Sequence, residues 1–330
     1  MWTIQEEFSR IEIGRSSQFR NLTLFPLMRQ GIPVQELDYL LLEDGIAQGK
    51  VRVTELQAGG FVPELRLENT ADLPVLLVDG EELVGAKQNR VLNLTILAPA
   101  KHTTVIPVSC VEAGRWSMES SDLEPADHMM YSGIRAKRVL QVTQSMRFSA
   151  SHASDQRAVW RDIAAKAVRL EAMSPTSAMS AIYQRYASSV EEFTRAFTCE
   201  SRQCGVAFAI GERILGLDIF DHPEIMRRFF QKLVRSYALD ALDAAAGTNE
   251  PVSAENLSAF VAQIGAAQSY SEQALGLGKD VRLNGAEISG AALWAQERYM
   301  HICAFAKDGK NSEDSSLWTR ISRPSHRRVF

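Results

Sequence analysis

The sequence predicts an α+β protein, with an N-terminal antiparallel β unit of sandwich-like or barrel-like form and a helix-rich unit carrying two β-hairpins after it. Three observations predict this. Between residues 20 and 111, short runs of strand formers alternate with turn signals. Between residues 155 and 266, four segments carry helical apolar spacing, most with a capping residue in front. Segments 204–220 and 289–305 both read as hairpins. They share Gly205/Gly290, Ala207/Ala292, Glu212/Glu297, Arg213/Arg298 and Phe220/Phe305 at a constant offset of 85 positions. A duplicated unit explains the likeness, and so does turn chemistry that two-residue hairpins share.

The bulk composition narrows the functional classes. The chain has 330 residues, 45% hydrophobic and 23% charged, with a net charge of −4. Lys and Arg are dispersed, which argues against a nucleic-acid-coating surface. A small anion needs only two or three placed cations and stays open as a ligand. No apolar run is long enough for a membrane helix. The start, MWTIQEEFSR, does not resemble a secretory signal, and the four cysteines (Cys110, Cys199, Cys204 and Cys303) are sparse. The expectation is a cytoplasmic protein with reduced thiols. The expected divisions are a helical lead-in over 1–19, the β unit over 20–150, the helical unit with hairpins at 205–220 and 289–305 over 151–306, and a mobile polar, basic tail over 307–330.

Taken in order, Leu22–Leu27 reads as a strand ending at proline, Glu43–Gly49 as a short helix closed by glycine, and Val51–Leu56 and Glu64–Glu68 as alternating strands. Val75–Val78 and Glu82–Gly85 flank Asp79-Gly80, which predicts a hairpin with a type I′ turn. Val91–Leu97 and Thr103–Val111 are further strands. Residues 117–135 lack period and are expected as a loop, and 138–148 as one more strand. Helices are expected over 155–171, 177–197, from Asp221 to about Ala246, and over 253–266, with Asp221 as a cap.

Two polar strings stand out within this frame. In the first, Glu81, Glu82, Lys87, Gln88, Asn89 and Arg90 lie within ten residues. Lys87 and Arg90 suit an anion, Gln88 and Asn89 suit amide or base edges, and Glu82 suits a general base. In the second, Cys110 and Glu112 share a strand face, and Arg115 beside Trp116 offers a cation next to a stacking surface. Cys110 is a candidate nucleophile, with His102 as its base only if the chain folds back. The plain alternatives are solvated charges, a small core cysteine and a packing tryptophan. If Val91–Leu97 and Thr103–Val111 pair, Arg90 comes close to Val111 and Glu112 and the strings form one rim. No metal site is expected: Cys199 and Cys204 are too far apart for a CxxC pair, and helix capping accounts for Asp221 beside Asp218 and His222. His301 is expected to be structural. GxGxxG, P-loop, GxSxG and HExxH motifs are absent.

The strings NLTLFPL, VPELRLEN, PVLLVDGEELVGAKQNRVLN and VIPVSCVEAGRW, with VAFAIGERILGLDIFDHPE and LVRSYALDAL downstream, resemble the ARG and rhodanese-phosphatase-superfamily-associated protein domain family, over roughly residues 20–305. That family is a domain of unknown function. Its association with ADP-ribosylglycohydrolases and rhodanese-like phosphatases implies ADP-ribose or nucleotide-phosphate chemistry. The positions carried over are Asp79–Glu82, Gly85–Arg90, Cys110, Glu112 and Gly114–Trp116, then Asp218, Phe220, Pro223, Ser236 and Tyr237.

The expected function is binding, with hydrolytic processing as an extension, of a nucleotide-derived phosphorylated ligand resembling ADP-ribose. Lys87 and Arg115 would hold phosphate, Trp116, Gln88 or Asn89 the base, and Glu82 or Glu112 would act as the general base. The rivals are a non-catalytic homo-oligomeric module whose polar strings form an interface, and a thiol enzyme at Cys110. No cofactor is indicated.

Overall fold

The computed structural model describes residues 1–30, 36–56, 62–149, 151–244 and 252–307. The chain starts with α1 (Ile4–Phe8), β1 (Ile11–Ile13), β2 (Ser17–Phe19) and β3 (Leu22–Arg29). A β-rich stretch follows: β4 (Leu40–Leu41), α2 (Leu42–Ala47), β5 (Val51–Glu55), β6 (Glu64–Asn69), β7 (Val75–Leu77), β8 (Glu81–Gly85), β9 (Arg90–Leu92), β10 (Ile96–Ala98), β11 (His102–Cys110) and β12 (Leu123–Met129). Helices α3 (Ser132–Ser149), α4 (Gln156–Arg169), α5 (Met179–Arg185) and α6 (Ala187–Ala196) come next. The chain then forms β13 (Gln203–Ile210), β14 (Arg213–Phe220), α7 (Pro223–Asp243), α8 (Ala254–Gly265), β15 (Gln268–Gln273), β16 (Lys279–Asn284), β17 (Ile288–Ala295) and β18 (Arg298–Ala306). The fold is α+β, and its described strand pairs are antiparallel apart from β4, which runs parallel to β7. Among the described residues, no helix is long and apolar enough to cross a membrane.

A nine-stranded sheet in the order β1-β3-β13-β14-β18-β17-β16-β15, with β2 also on β3, draws strands from both ends of the chain. The N-terminal strand β3 pairs with β13 along its length. One face, with Ala207, Leu217, Ile219, Ile302 and Ala304, packs on Ile4 and Phe8 of α1 and on Leu257, Phe260 and Ile264 of α8. The other face, with Phe208, Phe220, Cys303 and Phe305, packs on Phe229, Leu233 and Tyr237 of α7 and on Ile134 of α3. Alternation of side chains along each strand feeds the two cores.

Register shows that the two hairpins are one unit used twice. Gly205 pairs with Ile219 as Gly290 pairs with Ala304, and Phe208 with Gly216 as Leu293 with His301. The register shift after Phe208 recurs after Leu293. Asp218 and Cys303, equivalent under the offset of 85, pair with each other, so a pseudo-twofold axis passes between them. Strand β16 meets β17 at Leu283–Gly290 as β3 meets β13 at Leu27–Gly205. The turns differ: only Gly211 is at positive φ in the first hairpin, whereas Gln296 and Glu297 both are in the second.

The β-rich stretch forms a second body. Its six strands run β12-β8-β9-β11-β6-β5. A Thr54–Asp122 bridge and the Arg52–Asp122 ion pair at 2.9 Å bring β5 beside β12, so the sheet almost closes on a core of Leu65, Leu67, Leu83, Leu92 and Ile106. Strands β10, β7 and β4 form a small third sheet.

Several local expectations are corrected. Asp79-Gly80 does not make a hairpin, because β7 and β8 belong to different sheets. Gly80 alone has positive φ (90°), and the Glu81 N–H donates to the Val78 carbonyl, which makes a type II geometry that splays the strands. The run Val91–Leu97 is two strands broken at Asn93–Thr95. Residues 138–148 belong to α3, and β12 lies within the stretch expected as a loop. Residues 177–197 form two helices that break at Tyr186. His222, not Asp221, caps α7: its Nδ1 accepts from the Glu224 N–H at 3.1 Å. The expected helix end at Gly247 and the tail from 308 onward lie outside the described residues.

Candidate functional site

Strands β9 and β11 pair with Arg90 opposite Cys110, and the Val111 N–H donates to the Asn89 carbonyl at 3.1 Å. The two polar strings therefore meet, and they meet in one another's company. Arg115 Nε donates to Glu112 at 2.7 Å and its Nη2 donates to Asn89 Oδ1 at 2.9 Å. Arg115 Nη1 also donates to the Ala86 carbonyl at 2.9 Å. Gln88 donates to the Glu112 carbonyl at 3.0 Å and accepts from Arg90 at 3.1 Å. Asn89 Nδ2 donates to Glu82 Oε1 at 3.2 Å. Glu82, Gln88, Asn89, Arg90, Glu112 and Arg115 are all buried.

This placement changes the roles read from sequence. Arg115 spends its donors on protein acceptors, so it is a brace between the strings rather than a phosphate clamp. Arg90 is fully buried, with Glu55 at 3.7 Å. Cys110 is fully buried, its thiol is pushed up by burial, and its sulfur contacts the Glu112 backbone at 3.4 Å. His102 lies exposed at the far end of β11. Of the candidate site residues in the two strings, Trp116 (48% exposed) and Lys87 keep the most solvent contact; Lys87 Nζ lies 5.4 Å from the Trp116 ring centre. Asp218, Asp221 and His222 do not converge: Asp218 meets Arg135 and His301, Asp221 meets Tyr39 and Arg298, and His222 caps α7.

Glu82 is the member that leads out of this network. Strand β12 pairs with β8 at Pro125–Leu83 and again at Met129–Glu81, so Ala126, Asp127 and His128 bulge opposite Glu82 alone. A bulge re-aims side chains out of regular register. Here it turns His128 Nε2 to Glu82 Oε2 at 2.8 Å, and His128 Nδ1 to Asp127 Oδ1 at 2.9 Å. Tyr183 covers the imidazole with ring centres 4.2 Å apart. Arg235 of α7 pairs with Asp127 and stands 3.7 Å from Glu191.

Asp127, His128, Tyr183, Glu191 and Arg235 line an open cleft of about 480 Å³ between the bulge, helices α5 and α6, and α7, with Glu82 buried behind His128. Ser180 and Ser188 add hydroxyls to its wall. Burial alone would depress the His128 pKa, but the hydrogen bonds with Asp127 and Glu82 outweigh it and raise the group to about 9. The His128 hydrogen bond and Arg235 hold Asp127 down at about 2. At neutral pH the cleft thus presents an imidazolium and a guanidinium that share the Asp127 carboxylate, with Glu191 beside the guanidinium. Arg235 Nε is buried without a hydrogen-bond partner among the described residues. His128, Arg235 and Tyr183 were not singled out from sequence. The dipeptide Asp127-His128 after Pro125 is a weak signal, since only the bulge gives it meaning.

A family model for the ARG and Rhodanese-Phosphatase-superfamily-associated Protein domain matches residues 10–305. The chain belongs to this family. The match covers both bodies of the fold, including the duplicated sheet, the two polar strings and the cleft. The family description names associations rather than an activity. No curated protein and no solved structure matches the chain.

Proposed function

We propose that this family member binds a nucleotide-derived phosphorylated ligand of the ADP-ribose kind in the cleft beside His128. The observation that carries the reading is the doubly hydrogen-bonded His128 next to Arg235 in a cleft of about 480 Å³, within the range of small-molecule sites. Arg235, whose Nε has no hydrogen-bond partner among the described residues, suits a phosphate oxygen that takes the place of Asp127, and the Ser180 and Ser188 hydroxyls suit ribose hydroxyls. The choice of ADP-ribose rests on taking the ARG of the family description as ADP-ribosylglycohydrolase.

The polar strings then act one layer behind the ligand. Arg115, Asn89 and Glu82 form a hydrogen-bonded chain that orients His128. Both His128 N–H groups go to Glu82 and Asp127, so in a hydrolytic step His128 donates a proton to the ligand only where a ligand group displaces Asp127 from Nδ1. Glu82 acts through it and is a positioning residue rather than the general base expected from sequence. Thermal-shift measurement against ADP-ribose, NAD and nucleoside phosphates tests the reading. Stabilisation by ADP-ribose that Arg235→Ala removes is the expected result, and stabilisation by none of the panel rejects it.

A further inference from the structure

A second constellation lies away from the cleft, in the break between β9 and β10. Thr95 Oγ1 stands 2.8 Å from His301 Nδ1. His301 Nε2 stands 3.1 Å from Asp218 Oδ1. Arg135 fixes Asp218 with two hydrogen bonds of 2.7 and 3.2 Å, and the His301 ring stacks on Phe220. The Asp79 N–H donates to Thr95 Oγ1 at 3.1 Å. Burial alone would raise Asp218, but the Arg135 charge and the His301 hydrogen bond override it and hold the carboxyl at about 2. In the neutral imidazole that shares its Nε2 proton with Asp218, Nδ1 accepts the Thr95 proton.

Thr95 is only partly buried and opens on a small cavity it shares with Asn93, Asp280, Arg282 and Cys303. Arg282 is 2% exposed, and its Nε and Nη1 meet no hydrogen-bond partner among the described residues. The cavity, about 10 Å³, admits one water-sized group in this conformation.

We propose that Thr95, His301 and Asp218 form a nucleophile–base–orienter triad that accepts an acyl group from a small neutral carboxylic ester. The charge balance selects the class. Arg135, Arg138 and Arg282 stand against Asp79, Asp218 and Asp280, all buried, so a neutral carbonyl adds no uncompensated charge whereas a phosphate dianion adds two. Thr95 Oγ bonds to the carbonyl carbon as His301 Nδ1 takes its proton, and the developing oxyanion meets the free Arg282 donors. Collapse breaks the ester C–O bond, and the leaving alkoxide takes the proton from His301. Water then cleaves acyl-Thr95 by the same route, releasing the acid. This site does not depend on the cleft reading.

The test is labelling of the intact protein with a fluorophosphonate probe, mapped by peptide mass spectrometry. Modification at Thr95, retained in Thr95→Ser, absent in Thr95→Val and slowed about 100-fold or more in His301→Gln, is the expected result. An unlabelled Thr95 in the folded wild type overturns the proposal, as does an unchanged rate in His301→Gln. If His301→Gln fails to fold, the wild-type rate decides. A Thr95 labelling rate in the folded wild type no faster than in the denaturant-unfolded chain overturns the triad.

Discussion

Glu82 Oε2 lies 2.8 Å from His128 Nε2, and this contact joins a buried hydrogen-bond network to an open cleft. Its consequence is measurable as a titration. His128 is raised from 6.5 to about 9, so the folded chain keeps a proton that the unfolded chain releases near 6.5. The stabilisation is complete below pH 6.5 and is lost as pH rises through about 9. Asp127 is lowered from 3.8 to about 2, so its contribution is present above pH 3.8 and is lost as pH falls through about 2. NMR titration of the His128 imidazole should give a midpoint near 9, and Glu82→Gln should lower it. A wild-type midpoint at 6.5 or below would remove the imidazolium from the cleft.

Buried and exposed ion pairs should separate in denaturant melts. Arg135 bridges Asp79 and Asp218 with all three side chains buried. Arg135→Met leaves Asp218 to His301 and Asp79 to Arg138, each short of one buried cation, and should cost about 3 kcal/mol. Arg52, more than half exposed opposite Asp122, should cost under about 1 kcal/mol as Arg52→Ala. Equal losses would show that the interior network contributes no more than a surface pair.

Backbone geometry predicts a contrast between two glycines. Gly85 has φ of 124°, and a Cβ there would meet Ser120 Oγ at 2.5 Å and the Asp122 carbonyl at 2.6 Å. Gly49 has φ of 66° with open space around it. Gly85→Ala should cost well over about 2 kcal/mol, and Gly49→Ala about 1 kcal/mol. Thermal melts of the two variants read the difference directly.

Thiol reactivity should follow burial. Cys110, Cys204 and Cys303 are buried, and Cys199 is half-buried with its thiol pushed up to about 11 by burial. Native iodoacetamide should modify Cys199 first and leave Cys110 intact until the chain unfolds. Rapid native modification of Cys110 would restore it as a candidate nucleophile.

Much of the fold was legible where the signal was local. Strand alternation in β5, β6 and β11 and the stripe of α4 follow directly from period. The pairing that sets Arg90 opposite Cys110 follows from two adjacent strands. The constant offset between the hairpins carried a real duplication, because a shared register demands the same side-chain directions at each step. What failed was non-local. Helix α3 buries Arg135 and Arg138 on its core face beside Ile134, Val139 and Val142, so its stripe does not look apolar. Their partners, Asp79 and Asp218, come from distant strands. His128 hid in β12, where proline and a bulge erase the period. His301 looked solitary because Thr95 lies in a break that periodicity reads as continuous strand.

The central claim is that the cleft, rather than the exposed rim at Lys87 and Trp116, receives the ligand. Calorimetric titration of ADP-ribose into wild type, Arg235→Ala and Lys87→Ala tests it most directly. Binding to wild type and to Lys87→Ala, with loss in Arg235→Ala, is the predicted result. Binding that survives Arg235→Ala and disappears in Lys87→Ala, or no binding to wild type at all, would contradict it.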